Sequence, residues 1–592
     1  MVHKFHIPVL GLGYSIDTPL KVARYGISSV VSVVDDELIE RIRKYHTEQN
    51  DLEFIPIPKK SINSRAKRIT SYLNLMDKLI QLQFVTLKKL SFVEGNDLCQ
   101  YFELLPNDSQ LKQGYELMMD YPDGERKKIF QNILKKRMKI GSIDVNIMAK
   151  VDKQNFSNNE YLGDDYTDAL AALRGFALSC LTTSVILSAG MNPKLYSYIS
   201  QFDDFFPDEN GELRKQIILK VSDFRSAFIQ AKFLAKKGIW VSEFRIESGL
   251  NCGGHAFATE GYLLGPILEE FKQNKTSLLT VLFDLYRTAL AENRNPMTEP
   301  PKQRITVQGG IGTSSENEFL LKYYGLDATG WGSPFLLVPE VTNVDETTLK
   351  KLVEAKEDDY YLSNSSPLGI LFNNFKGSSI EQQRLSRIEK GRPGSPCTKK
   401  YLCTNTEFTE QPICTASREY QRLKINQLDT LQLPKTAYEQ QFNTITEKIC
   451  LCEGLCASVY LKDKIIKPKE STAVSICPGP NLAYFSNTYT LQEMVNHIYG
   501  KLDLLDNVKR PHFFIKELNL YIDYLQKEIQ GQVKELNDKK WKQLSKFKAQ
   551  LINGVEYYKS LFVTIENRFT FETNYLFVEL LQAETKLANT LI

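Results

Sequence analysis

Ser248-Gly249-Leu250-Asn251-Cys252-Gly253-Gly254-His255 closes one apolar run, Trp240–Glu247, and Ile305-Thr306-Val307-Gln308-Gly309-Gly310-Ile311-Gly312 ends another about fifty residues later. Glycine has no Cβ, so backbone N–H groups at such a strand end approach a ligand closely. Two strand ends of this kind in series predict a ligand lying across the C-terminal face of a parallel barrel. His255 is the sole histidine between His46 and His497. An imidazole placed straight after a Gly-Gly turn is a candidate for proton transfer.

Outward from these two segments the pattern is strand, then helix, repeated. Eight short runs rich in Val and Ile read as strands: Phe5–Gly11, Ser29–Val34, Ser142–Met148, Ser184–Ala189, Gln216–Val221, Trp240–Glu247, Ile305–Gly309 and Ala328–Gly332. Runs without polar alternation are expected where both faces of a parallel sheet are buried. Helical patterns lie between most of them, among them Thr18–Tyr25, Glu37–Tyr45 and Ser226–Lys237, the last ending at Gly238. The alternation predicts an α/β chain with a (β/α)8 TIM barrel over residues 1–345, decorated by helical insertions at about 60–140 and 256–300. The second insertion carries two helical patterns, Tyr262–Lys272 and one near Leu278–Glu292. A doubly wound open sheet is the alternative. Residues 346–485 form a turn-rich, cysteine-rich segment, and 486–592 a charged helical cap or oligomerisation surface, with long patterns at Phe513–Val533 and Lys540–Phe562.

Bulk properties narrow the partners. Lys and Arg number 74 against 71 Asp and Glu, a formal net charge of +3 over 592 residues. That balance gives no argument for nucleic acid or a membrane surface. The most apolar window, Ala169–Ala189, is broken by Arg174 and by hydroxyls, and reads as a core helix feeding a strand. The opening Met1–Pro8 shows no signal-peptide h-region, so a cytoplasmic location is expected.

The loop after strand seven is Gly309-Gly310-Ile311-Gly312-Thr313-Ser314, and that after strand eight is Gly330-Trp331-Gly332-Ser333-Pro334-Phe335. In many barrels these two loops cradle a phosphate through backbone N–H groups. Both have the glycines and hydroxyls this needs.

At these positions the chain resembles the nitronate monooxygenase / 2-nitropropane dioxygenase-like FMN barrels. Relatives of that family include FabK-type enoyl-acyl-carrier-protein reductases and the trans-acting enoyl reductases of polyunsaturated fatty acid synthases. Over about residues 5–340, several landmarks agree in order. Pro8-Val9-Leu10-Gly11 followed by Thr18-Pro19-Leu20 is similar to the family's first strand and helix start. Asp144-Val145-Asn146-Ile147 is similar to its Gly-Val-Asn strand, and Gly249–His255 to Gly-x-Glu-Ala-Gly-Gly-His. Gly309-Gly310-Ile311 and Gly332-Ser333-Pro334-Phe335 resemble its Ala-Gly-Gly-Ile and Gly-Thr-Arg-Phe. The resemblance implies FMN, with its phosphate on Gly309, Gly310, Gly332 and Ser333 and its ring facing Asn146, Lys220 and Ser248. It also places Gly11, Gly253, Gly254, Gln308 and Gly312 among the cofactor-binding residues and makes His255 the acid or base toward substrate. A small-molecule substrate follows, and an electron donor, an acyl carrier or a second copy of the chain as partner. The departures are Asn251 for the family's Glu, Cys252 for its small residue, Ala256 after the histidine, and Pro334 for its Arg. The substrate pocket therefore does not transfer. Cys252 reads either as a nucleophilic or redox thiol or as a small buried hydrophobe.

Seven of the ten cysteines fall within about eighty residues: Cys397, Cys403, Cys414, Cys450, Cys452, Cys456 and Cys477. Ten cysteines in a chain with no export signal argue against a disulfide framework. A histidine-free set with a Cys-Pro at Cys477 suits an iron–sulfur cluster or a structural zinc, and Cys397, Cys414, Cys450, Cys452 and Cys477 are the candidate ligands. Unliganded thiols are the alternative. Together these features predict a flavin oxidoreductase, either a monooxygenase or an enoyl reductase, acting on an enoyl or nitronate-like compound. A non-redox barrel binding a phosphate ligand for lyase or isomerase chemistry, and a catalytically silent assembly protein, are the other readings.

Overall fold

A computed structural model describes residues 2–149, 151–157, 160–188, 190–253, 260–293, 297–530, 538–566, 569 and 573–590. Eight strands close into a parallel barrel: β1 Phe5–Ile7, β2 Ser28–Ser32, β3 Ile143–Ile147, β4 Thr183–Leu187, β5 Lys215–Val221, β6 Val241–Glu247, β7 Arg304–Gln308 and β8 Ala328–Gly330. Each pairs with its neighbours in chain order, and β8 returns to β1 through Phe5 against Thr329 and His6 against Gly330. The eight expected runs are these eight strands, and the open-sheet alternative is excluded by the β1–β8 pairing.

Strand periodicity explains what fills the barrel. On β6, Glu243, Arg245 and Glu247 alternate with Phe244 and Ile246, so the three charged side chains point along one face while the apolar ones meet the outer helices. Inside, Arg245 pairs with Asp144 of β3 at 3.3 Å and with Glu243 at 2.7 Å, and Arg304 of β7 reaches Glu243 at 2.6 Å. The Thr306 hydroxyl donates to Glu243 at 2.7 Å. Val30, Ile186 and Ile218, on β2, β4 and β5, form a small apolar cluster of their own. Burial alone would raise the Glu243 carboxyl; Arg245 and Arg304 more than reverse it and hold it at about 2.

Four helices, Ser64–Lys89, Asp97–Glu103, Gln110–Asp120 and Glu125–Arg137, form the first insertion. The second is one continuous helix, Leu264–Asn293, where the sequence suggested two. No Gly or Pro interrupts Gln273-Asn274-Lys275-Thr276-Ser277, so the polar stretch continues the helix instead of ending it. The C-terminal helices Phe513–Gln530, Asp538–Ile565 and Thr573–Ala588 pack on one another and on Leu264–Asn293.

Residues beyond the barrel fold back over its C-terminal mouth. The antiparallel pair β9 Tyr360–Ser363 and β10 Phe372–Phe375 and the helix Leu451–Lys462 form this cover. The Gly13 N–H donates to the Leu455 carbonyl at 2.9 Å, and a Cβ on Gly13 would stand 2.9 Å from that same oxygen. No helix among the described residues is long and apolar enough to cross a membrane.

Removing one partner of a buried ionic group strands the others. Arg245→Leu should therefore destabilise the fold by about 3–5 kcal/mol, read as a lowered urea midpoint. A change below about 1 kcal/mol would show that the interior network is not needed for barrel stability.

Candidate functional site

The C-terminal ends of β1, β2, β3, β5 and β6 enclose a chamber of about 170 Å³. Its floor carries Asn146, Lys220 and Glu247, and Gly11 and Gly253 lie on its rim. Its cover is apolar: Leu368, Ile370, Phe372, Tyr401, Leu402, Leu451 and Leu455, with Cys452 and Cys477. Gly11, Asn146, Lys220 and Gly253, scattered over the sequence, are thus brought to one cavity. Gly254 and His255 lie outside the described residues.

The polar centre is Glu247. Its Oε1 accepts from Lys220 Nζ at 2.8 Å, from Asn251 Nδ2 at 2.7 Å and from Gln308 Nε2 at 2.8 Å. The Gln308 carbonyl in turn lies 3.3 Å from His6 Nε2. Burial, and then Arg245, hold His6 down at about 3, so it is neutral at ordinary pH. Glu247 closes strand β6, and an acid at the C-terminal end of a barrel strand is itself a functional signal. Glu247 stands in the sequence one residue ahead of the Ser248–His255 motif, and its pairing with Lys220 joins two strands that the local pattern does not link.

Ser248 does not line the chamber. Its hydroxyl turns to Glu517, on the helix Phe513–Gln530, whose two carboxylate oxygens also accept the Gly249 and Leu264 N–H groups at 3.2 and 2.8 Å. Burial raises the Glu517 carboxyl to about 7 against these hydrogen bonds. Cys252 is buried, its thiol given to the Cys477 carbonyl at 3.1 Å, and burial raises its pKa well above the ordinary thiol value. A thiol so placed is a poor nucleophile, which favours the reading of Cys252 as a small buried group.

The glycine loops after β7 and β8 stand apart from the chamber. Gly309 and Gly310 have φ of +109° and +81°. The N–H groups of Gly309, Gly310, Gly332 and Ser333 take part in none of the loop hydrogen bonds among the described residues. Those of Gly312 and Thr313 are already used, donating to Glu316 Oε2 at 2.8 and 3.2 Å. Arg510 lies over this loop, donating to the Gly310 carbonyl, to Glu316 and to Asn481 at 2.6, 2.6 and 2.7 Å. Between loop and chamber runs Cys477-Pro478-Gly479-Pro480-Asn481. Its Cys477 carbonyl accepts the Gly253 N–H at 3.1 Å, and a Cβ on Gly479 would meet the Ser333 hydroxyl at 2.5 Å. Neither Arg510 nor Glu316 carried a sequence signal, because their pairing joins positions nearly two hundred residues apart.

The expected metal site is not formed. Among the described residues, no group of three or more His, Cys, Asp or Glu side chains is arranged to hold a metal ion. All ten cysteines are free thiols. Cys397, Cys414, Cys450, Cys452 and Cys477 pack instead with Phe372, Ile380, Tyr401 and Leu402 in a small apolar core under the cover. Free cysteine behaves there as a small hydrophobe, which is why spacing alone suggested a ligand set.

A larger cleft, about 1160 Å³, opens at the N-terminal ends of the strands around Ser142, Ser242 and Arg304. Barrel chemistry sits at the opposite face, and this cleft carries none of the glycine loops.

The sequence matches no family model and no curated protein. Among solved structures, the chain is similar to the enoyl reductase domain of MlnA from the macrolactin biosynthesis cluster of Bacillus amyloliquefaciens, at 14% identity over 69% of this chain and 87% of that one, with a TM-score of 0.31. It is similar to FabK from Thermotoga maritima at 14% identity, over 69% and 85% of the two chains, TM-score 0.29. It is also similar to a nitroalkane oxidase from Streptomyces ansochromogenes at 10% identity, over 64% and 84%, TM-score 0.28. The assignment of a closed barrel rests on the strand pairing given above.

Glu316 holds two loop N–H groups, the Phe513 N–H at 3.1 Å and the Arg510 guanidinium together. Glu316→Ala leaves Arg510 buried without its carboxylate, and should lower stability by about 3–5 kcal/mol in urea unfolding. Limited proteolysis should then cut first near Arg510; unchanged cleavage would contradict the anchoring role.

Proposed function

We propose that this chain is an FMN-dependent oxidoreductase, moving a hydride or electrons between flavin and a small activated organic substrate of the enoyl or nitronate type. The observation that carries the reading is the chamber at the barrel mouth, where Asn146, the Lys220–Glu247 pair, Gly11 and Gly253 meet under an apolar cover.

The donor set fits FMN at both ends. The chamber, at about 170 Å³, is smaller than the ~300–1,000 Å³ of sites for whole drug-sized ligands. It suits a flat ring, with Asn146 and Lys220 as its polar neighbours, and not an entire nucleotide. The phosphate falls to the buried N–H groups of Gly309, Gly310 and Ser333, with that of Gly332, beside the Arg510 cation. The strap Cys477–Asn481 lies between the two ends, against Gly253 and Ser333. FMN, when bound, supplies the redox chemistry. The chain's own groups do the rest. Glu247 holds Lys220 in place and balances its charge. The leucines and aromatics of the cover exclude water, which strengthens every polar contact inside. His255, two residues beyond Gly253, donates or accepts the substrate proton at its imidazole nitrogen.

Freshly purified protein should show a flavin absorption spectrum and release FMN on acid treatment. A colourless protein that takes up no added FMN would overturn the proposal and favour a phosphate-ligand barrel without redox chemistry. Lys220→Met removes a charge-assisted contact worth about 1.5–3 kcal/mol, so FMN should bind about 10–100-fold more weakly in a fluorescence titration. His255→Ala should keep its flavin and lose turnover; full turnover in that variant would remove the histidine from the mechanism.

A further inference from the structure

A further cavity, about 520 Å³, lies outside the barrel on the cysteine-rich segment. Cys397, Cys403 and Cys414 are part of its wall, and Lys400, Arg418 and Arg422 stand at its edge. The three thiols are buried, whereas the three cations are exposed and form no ion pair among the described residues. One acid, Glu419, offsets them in part. The Sγ atoms of Cys397 and Cys403 are 3.9 Å apart. Two non-glycine residues of the intervening loop have left-handed backbone, Cys397 at φ +53° and Lys400 at +58°. Such conformations persist only where the surroundings enforce them, and both fall within the seven-residue loop that begins and ends at the two thiols.

We propose that Cys397 and Cys403 are a reversible dithiol–disulfide pair that exchanges with an anionic low-molecular-weight disulfide of the glutathione class, held by Lys400, Arg418 and Arg422. One protein thiolate attacks the small disulfide, forming a mixed disulfide and expelling one small thiolate. The second protein thiol, as thiolate, displaces the other. The protein dithiol loses two electrons and two protons, and the small disulfide becomes two thiols. The chemistry needs no group beyond these.

Because the thiolate is the attacking form of any thiol, exchange quickens as pH rises. The loop between the thiols also holds Tyr401 and Leu402 against the barrel chamber, and Lys399 against Asp35 at 2.5 Å. A bond between its ends tightens the wall of the proposed active site, although the exchange itself does not depend on flavin.

The test uses the full-length chain, fully reduced and desalted. Incubation with glutathione disulfide at pH 8 should remove two hydrogens from the intact mass, and peptide mapping should place the link between Cys397 and Cys403. Cys403→Ser should stop instead at a glutathione adduct on Cys397. In Arg418→Gln/Arg422→Gln, exchange with glutathione disulfide should slow about 10-fold, with exchange toward uncharged 2-hydroxyethyl disulfide unchanged. Thiols at 397 and 403 that stay reduced, a link that joins other cysteines, or stoichiometric zinc or iron on these residues in the purified protein would each overturn the pair. Equal slowing with both disulfides would overturn the anionic ligand.

Discussion

One carboxylate oxygen organises the mouth of this barrel. Glu247 Oε1 receives Lys220 from β5, Gln308 from β7 and Asn251 from the glycine-bearing loop, while Glu247 itself ends β6. Three adjacent strands and the loop are therefore tied at a single atom. A buried carboxylate with no donors would be costly, so each donor is under pressure to stay where it is. The loop's path past Gly253 follows from that, and so does the floor of the chamber.

The same logic acts one layer down and one layer out. Below, Arg245 and Arg304 are balanced by Glu243 and Asp144, so a polar barrel interior is tolerated because its charges are paired. Outside, Arg510 joins Glu316, Asn481 and the Gly310 carbonyl, and thereby pins the start of the C-terminal helices to the loop after β7. The C-terminal region is thus an integral part of the barrel's C-terminal face. Glu517 carries this further, since its carboxylate bonds the N–H of Gly249 within the glycine motif itself.

The cysteine-rich segment supplies part of the cover. Cys452 and Cys477 face the chamber as apolar lining, and Cys450 and Cys414 pack beneath it. Spacing in sequence could not separate these uses, because thiols that coordinate, pack or exchange need the same closeness along the chain. Direction separates them, and direction is set by the helix Leu451–Lys462 and by the left-handed turn at Cys397.

The barrel was legible in the sequence because strands buried on both faces leave unbroken apolar runs, and helices between them leave a different period. The glycine loops were legible for a related reason: a residue without Cβ is needed where the backbone turns left-handed, as at Gly309 and Gly310, or meets another chain segment, as Gly253 meets Val9. The helix Leu264–Asn293 carries two apolar patterns in the sequence, since a polar stretch interrupts the pattern without interrupting the backbone. What only the tertiary structure decided is partnership. Local pattern reports which face of an element is buried, and it carries no information on which distant residue completes a charge or closes a cavity. Lys220 with Glu247, Ser248 with Glu517, Arg510 with Glu316, and Cys397 beside Cys403 under a pocket rim of cations are all products of chain folding, because the free energy of a buried charge or thiol depends on neighbours that the linear order does not name.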